Sequence, residues 1–224
     1  MNEDARADLA NGRTLSYAEY GDPHGQPILF FHGWPSSRYQ AAYLDEPANA
    51  RGLRILAPDR PGIGLSTPQQ GRGFQDWPTD ISAFADHLGI DRFSIFGISG
   101  GGPYTLATCH ALADRVVTAA VVCGAPPLGQ KEDRGHMHWA YKALASSQRL
   151  RRTILPALLP FSRWMVAKGT NKAPMSWMLQ SIPARDREAL HSVCGWDMVA
   201  RSFLEAIRNG PDSVLGEGEL YLKD

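Results

Sequence analysis

The sequence has few cysteines, no excess of charge and no long apolar run. Its three cysteines, Cys109, Cys123 and Cys194, are too scattered and odd in number for a disulfide framework, which favours free thiols in a reducing compartment. Basic and acidic residues both number 23, so charge predicts no attraction to nucleic acid or an anionic membrane surface. No stretch approaches the roughly 18 apolar residues of a membrane helix. These absences favour a small-molecule partner.

The first eight residues lack the basic start and the apolar stretch of a signal peptide. They are polar and mostly acidic, so we expect a cytoplasmic protein. The 224 residues suffice for one domain, or for one domain with a lid.

Short apolar segments alternate with helical patterns along the first half of the chain. Asn11-Gly12 suits the positive φ angles of a hairpin turn and predicts an antiparallel opening. Later strands read as continuous apolar runs, typical of a parallel sheet covered on both faces. Strands are predicted at 7–9, 15–20, 27–31, 53–57, 93–96 and 116–122, with helices at 38–50, 77–88 and after the glycines at 100–102. The sequence therefore predicts the doubly wound α/β class.

The pattern changes after Pro127, where only helical patterns follow, at 137–145, 184–193 and 198–207. We therefore expect an α/β core at 1–127 and a helical cap at 128–224. Proline lacks the amide hydrogen and clashes with the preceding turn, so four prolines should divide the cap into short helices. They are Pro156, Pro160, Pro174 and Pro183.

The strongest motif is Gly97-Ile98-Ser99-Gly100-Gly101, which matches G-x-S-x-G between a predicted strand and a predicted helix. A serine on such a sharp turn projects into solvent, so Ser99 is the candidate nucleophile. The turn is so tight that side chains two positions away would collide, which explains Gly97 and Gly101.

Two other readings of this glycine-rich turn are open. One is a glycine-rich turn with an incidental serine. The other is a dinucleotide-binding loop, but Ser99 occupies the place of the second glycine of G-x-G-x-x-G, and the turn follows a late strand. The next strand ends in Val122-Cys123-Gly124, without the acidic residue that would hold a ribose.

A second motif, His32-Gly33-Trp34-Pro35, ends an earlier buried strand at the same edge of the sheet. Acyl transfer needs donors aimed at a developing oxyanion, and we assign that role to the backbone amides of Trp34 and Gly100. His32 is interpreted as structural. The segment 59–66, rich in proline and glycine, is interpreted as a rigid turn.

Together, the motifs at 32–35, 59–66 and 97–104 resemble the α/β-hydrolase superfamily, in particular esterase and lipase-like members with an H-G-x-P oxyanion loop. The resemblance covers roughly residues 10 to 127 in detail. It implies an eight-stranded sheet, a serine nucleophile, a histidine base and an acidic orienting residue. It also implies action on esters or related acyl compounds without a cofactor.

In that family the acid follows the seventh strand and the histidine follows the eighth. Only six strands are predicted here, so we expect the last two strands, the acid and the histidine to be absent and catalysis to be impaired. A fragment, an early stop and completion by another chain all stay open. The alternative function is a non-catalytic binding protein or remnant of the same fold.

Three cap histidines, His136, His138 and His191, could overhang the site and replace the missing base. His136 and His138 lack the neighbouring ligands of a metal site, so no metal is predicted. The strand Val116–Val122 is apolar on both faces with nothing left to cover its outer edge, which predicts possible self-association there.

Overall fold

Six strands form one sheet in the computed structural model, which describes residues 2–129, 134–135, 139–168, 180, 183–189 and 195–223. The strands are β1 (Asn2–Asp8), β2 (Thr14–Gly21), β3 (Gln26–Phe31), β4 (Leu53–Pro58), β5 (Phe93–Ile98) and β6 (Val116–Val122). Their order is β1-β2-β4-β3-β5-β6. The pairs β1/β2 and β2/β4 are antiparallel and the other neighbours are parallel. The predicted α/β fold with an antiparallel opening hairpin is confirmed.

Helices connect and cover these strands. They are α1 (Asp45–Asn49), α2 (Trp77–His87), α3 (Gly101–Ala111), α4 (Trp139–Ser146), α5 (Gln148–Ala167), α6 (Ala184–Ala189), α7 (Trp196–Ala206) and α8 (Asp212–Leu220), with 3-10 helices at Arg38–Leu44 and Phe74–Asp76. The single helix predicted at 38–50 is wrong, because a 3-10 helix and α1 divide that segment. Pro47 explains the division, since its ring tolerates only the first turn of an α-helix.

The two faces of the central strands pack against different helices. Leu29 and Phe31 of β3 join a core cluster with Trp77 and Phe84 of α2. Phe30, between them in sequence, joins a second cluster on the opposite face. Successive side chains of a strand point to opposite faces, so a run without polar residues is what a strand covered on both sides requires.

Pro156 and Pro160 lie inside α5, so the prediction that they break the cap into short helices is wrong for these two. They are four residues apart and therefore remove amide donors from the same face of the helix. Hydrogen bonds on the other faces continue through the segment. Pro183 immediately precedes α6, and Pro174 lies outside the described residues.

The described residues after β6 include helices and no strand. The segment Asp212–Leu220, near the end of the predicted cap, is the helix α8. We propose residues 128–224 as a cap, since α4, α5 and α8 border a cavity beside Ser99. Within the described part of the chain, no helix is long and apolar enough to span a bilayer.

The strand β6 forms an edge of the sheet and is largely exposed. Its only strand partner in the described structure is β5, so the other side of its backbone has no ladder. Val117 is 58% exposed, and Val121 and Val122 are each 41% exposed. An apolar edge with unpaired backbone groups is a template for pairing with another strand.

We therefore propose that the 224-residue chain self-associates by pairing β6 with β6 of a second copy. Replacing Val117 with lysine places a charge on that edge and should weaken the dimer by about tenfold or more, measured by sedimentation velocity over a range of concentrations. Phe161→Lys on α5, at another exposed apolar position, is the control. Dissociation by Phe161→Lys but not by Val117→Lys would assign the contact to the cap and contradict this proposal.

Candidate active site

Ser99 lies at the turn between β5 and α3, with its side chain exposed. Its φ angle is +51°, in the left-handed region that non-glycine residues rarely adopt. Backbone contacts fix this conformation: the Ser99 amide donates to Val122 O at 2.9 Å, and the Ser99 carbonyl accepts from Gly102 N at 3.0 Å and Ala125 N at 2.8 Å. A strained conformation of this kind costs about 1–3 kcal/mol and persists only where its surroundings enforce it.

The glycines two positions either side of Ser99 have no room for a side chain. A Cβ on Gly97 would overlap Thr105 Oγ1 and lie 2.9 Å from the Gly101 carbonyl oxygen. A Cβ on Gly101 would overlap the carbonyl oxygen of Phe31 at the end of β3. The close approach of α3 to β5 and β3 therefore depends on glycine at both positions.

The loop after β3 lies against the turn that carries Ser99. A Cβ built on Gly33 would be 3.5 Å from Ser99 Cβ, and one built on Gly100 would be 3.0 Å from Trp34 N. The Gly33 amide is already engaged, because it donates to Gln40 Oε1 at 2.7 Å. The amides of Trp34 and Gly100 donate to no acceptor within the described residues. Trp34 lies in the loop after β3 and Gly100 in the turn after β5.

His32 is fully buried behind this loop. Its Nδ1 lies 2.9 Å from the Gly33 carbonyl oxygen, so Nδ1 carries the proton and donates to it. Burial, with the positive charge of Arg60, holds the pKa of His32 well below its usual range. No hydrogen bond joins His32 to Ser99 in the described structure. The neutral ring instead stabilises the loop through its hydrogen bond to the Gly33 carbonyl.

The helix α8 supports the same loop. Trp34 Nε1 donates to the Val214 carbonyl at 2.8 Å, and its indole lies so close to Gly218 that a Cβ there would be 2.7 Å from Cζ2. Tyr221, just after α8, donates its hydroxyl to the Gly100 carbonyl at 2.8 Å. Positions 214, 218 and 221 share one face of a helix, so a single surface of α8 contacts both Trp34 and the turn.

Two cavities meet at Ser99, and Trp34 lines both of them. The first has a volume of about 470 Å³ and a mainly apolar lining that includes Ala125, Leu128, Ala145, Leu155, Leu215 and Tyr221. The second has a volume of about 400 Å³ and a more mixed lining that includes Gln40, Ser162, Met165, Val199, Ser202 and Phe203. None of the described residues that line either cavity is a histidine.

The family model described as alpha/beta hydrolase fold matches residues 26–165 of this chain. The chain belongs to the alpha/beta hydrolase family. The match includes the strand–turn–helix around Ser99 and the loop at 32–35, and it extends through most of α5.

Curated relatives of this alpha/beta hydrolase are named as several kinds of enzyme. Haloalkane dehalogenase 2 of Mycobacterium tuberculosis is 38% identical over 112 residues, which are 49% of this chain and 37% of that protein. The non-heme chloroperoxidase of Streptomyces lividans is 30% identical over 132 residues, 55% of this chain and 46% of the relative. The match thus spans less than half the length of either. Such relatives agree with the predicted hydrolase class.

Solved structures show the same fold along nearly the whole of this alpha/beta hydrolase. The enol-lactonase from Burkholderia xenovorans LB400 superposes with a TM-score of 0.64, covering 98% of this chain and 73% of its own. At 20% identity, this likeness concerns the fold alone.

The structure brings together the five residues that the sequence selected in this alpha/beta hydrolase: Ser99, Trp34, Gly97, Gly100 and Gly101. It leaves His136, His138 and His191 outside the described residues, so their relation to Ser99 stays open. No cluster of three metal-ligating side chains occurs among the residues described.

Sequence reasoning missed other residues at this site. Gln40 holds the Gly33 amide, and Arg60 contacts the loop carbonyls from a segment interpreted only as a rigid turn. Glu217 and Tyr221 were not selected because they follow every recognised motif. The signal available in the sequence was the spacing of Glu217, three residues after Val214 and three before Leu220, which places a glutamate on the apolar face of a helix.

Proposed function

We propose that this chain is a hydrolase of carboxylic esters or related acyl compounds, with Ser99 as its nucleophile. The observation that carries the proposal is the placement of an exposed Ser99, in a left-handed conformation, beside the amides of Trp34 and Gly100. The two cavities that meet there offer room for the two halves of an ester. The proposed partner is a small molecule, and the chemistry needs no cofactor.

The reaction begins with attack of the Ser99 oxygen on the carbonyl carbon of the substrate. The electron pair of the carbonyl bond moves to its oxygen, and the Trp34 and Gly100 amides stabilise that negative charge. Collapse of the tetrahedral intermediate expels the alcohol, which takes the proton that the Ser99 hydroxyl lost, and leaves an acyl group on Ser99. Water then attacks this acyl group and releases the acid.

The step that needs further support is removal of the serine proton. A serine hydroxyl is a weak nucleophile without a base in hydrogen-bonding reach. Since no described residue lining the two cavities is a histidine, we propose that Ser99 reacts slowly in this chain and that a base supplied from elsewhere would accelerate it. The same observation favours the second candidate, a non-catalytic binding protein that retains the fold and its cavities.

Exogenous imidazole can supply the missing base and separate these candidates. We expect a fluorophosphonate probe to label Ser99, located by peptide mass spectrometry, and imidazole to raise the labelling rate by about tenfold or more. Turnover of p-nitrophenyl butyrate should rise with it, after subtraction of the imidazole-catalysed rate measured with Ser99→Ala. A folded protein that is labelled neither with nor without imidazole would exclude the hydrolase and leave the binding protein.

A further inference from the structure

The peptide unit between Gly33 and Trp34 is hydrogen-bonded to the buried side chain of Arg60. Arg60 Nη1 donates to the His32 carbonyl at 2.6 Å, and Nη2 donates to the Gly33 carbonyl at 2.8 Å. A trans peptide is planar, so its C=O and N–H point in opposite directions. Fixing the Gly33 carbonyl toward Arg60, and toward the His32 Nδ1–H that it also accepts from, therefore directs the Trp34 N–H away from Arg60. The Trp34 nitrogen lies beside Gly100, because a Cβ built on Gly100 would be 3.0 Å from it.

The second proposed donor is fixed in the same way, but by backbone alone. The Gly100 N–H shares a peptide unit with the Ser99 carbonyl, which accepts from the amides of Gly102 and Ala125. The difference between the two donors is that only the Trp34 peptide is oriented by a charged side chain. A hydrogen bond from a cation also polarises the peptide and makes its N–H a better donor.

Arg60 itself is held by α8. Its Nε forms an ion pair with Glu217 Oε1 at 2.6 Å, and its guanidinium lies 4.7 Å from the centre of the Tyr104 ring. The Arg60 side chain is 1% exposed and the Glu217 side chain 0%. Glu217 Oε2 also lies 3.3 Å from Arg72 Nη2, so one carboxylate balances two guanidinium groups and the cluster keeps a net positive charge.

We propose that Arg60, anchored by Glu217, is a positioning residue for acyl transfer: it orients the Trp34 amide toward the oxyanion that forms at Ser99. The proposal rests on the proposed function of Ser99. A planar guanidinium can contact two carbonyls and a carboxylate at once, which a lysine ammonium on a flexible stem does not reproduce. The α8 face at 214, 218 and 221 completes the support by contacting Trp34 and Gly100.

The test compares Arg60→Met and Arg60→Lys in labelling of Ser99 by the fluorophosphonate, at one fixed imidazole concentration. The Trp34 donor acts mainly in the transition state, so the maximal labelling rate should fall about 10- to 100-fold in Arg60→Met. The probe concentration that gives half the maximal labelling rate should change less than twofold. The maximal labelling rate should fall less in Arg60→Lys than in Arg60→Met. Glu217 keeps Arg72 as a partner in both variants, so neither leaves an unpaired buried carboxylate.

Asp80→Asn is the matched control. Asp80 has a side chain 2% exposed and pairs with Arg13, which is 16% exposed, so Asp80→Asn also disrupts a largely buried ion pair, but one at a distance from the loop at 32–35. It should lower the melting temperature without changing the maximal labelling rate. The positioning role would be overturned if folded Arg60→Met were labelled at the wild-type maximal rate. It would also be overturned if the maximal labelling rate fell as much in Asp80→Asn as in Arg60→Met.

If wild-type Ser99 is not labelled at all, the proposed function fails and the positioning inference is judged by structure. A crystal structure of Arg60→Lys, or of Arg60→Met, should then show the Gly33–Trp34 peptide rotated. An unchanged peptide orientation would refute the role of Arg60 whatever Ser99 does.

Discussion

Replacing Ser99 with alanine is expected to abolish covalent capture of a fluorophosphonate and to reduce imidazole-assisted ester turnover by at least about a thousandfold. The hydroxyl is the proposed attacking group, and no other side chain at the turn offers one. Alanine keeps the Cβ, and the hydrogen bonds that hold the turn come from the Ser99 backbone, so the fold should persist. Intact mass and peptide mapping measure capture, and circular dichroism measures folding.

Ser94→Ala is the control for this experiment. Ser94 lies on the same strand, β5, pairs in register with Ile28 of β3, and lines neither cavity. Its replacement should leave labelling within twofold of the wild-type rate. Persistent labelling of Ser99→Ala at another residue would show that the probe reports a different nucleophile and would contradict the assignment.

Replacing Gly101 with alanine is expected to destabilise the fold by about 3 kcal/mol or more. The new Cβ would overlap the Phe31 carbonyl oxygen and lie 2.8 Å from the Phe31 carbonyl carbon. Phe31 ends a central strand whose ladder partner is Gly97, so its backbone cannot move aside without disturbing β5. At about 2–4 °C per kcal/mol for a domain of this size, the melting temperature should fall by roughly 6–12 °C.

Gly216→Ala provides the comparison for that loss. Gly216 lies inside α8, and a Cβ there would meet nothing within 4 Å. Alanine favours a helix interior by up to about 1 kcal/mol over glycine, so this variant should melt at the wild-type temperature or slightly above it. If the melting temperature fell equally in Gly101→Ala and Gly216→Ala, contact with Phe31 would not explain the need for glycine at position 101.

The prolines of the cap show why a local rule can fail. The sequence predicts breaks at Pro156 and Pro160 because each removes a backbone donor. The structure keeps α5 continuous through both, since their spacing confines the lost hydrogen bonds to one face. Conversely, Pro47 restricts a helix that periodicity alone extends from 38 to 50. Which outcome occurs depends on the packing available to the whole segment.

The sequence by itself determined the sheet class, the turn around Ser99 and the loop at 32–35. These features depend on local backbone geometry, which neighbouring residues determine. The glycines that allow a strand to turn directly into a helix are an example. The continuous apolar run that predicts β3 as a strand covered on both faces is equally local.

Only the tertiary structure decided what holds the proposed oxyanion loop in place. Trp34 donates to Val214, 180 positions away, and Tyr221 reaches Gly100 across 121 positions. No periodicity or spacing rule connects residues so far apart, because their contact depends on how α8 packs against the completed core. The buried ion pair of Arg60 and Glu217 is another contact that only the tertiary structure shows. A charged residue in a sequence does not reveal which opposite charge compensates its burial.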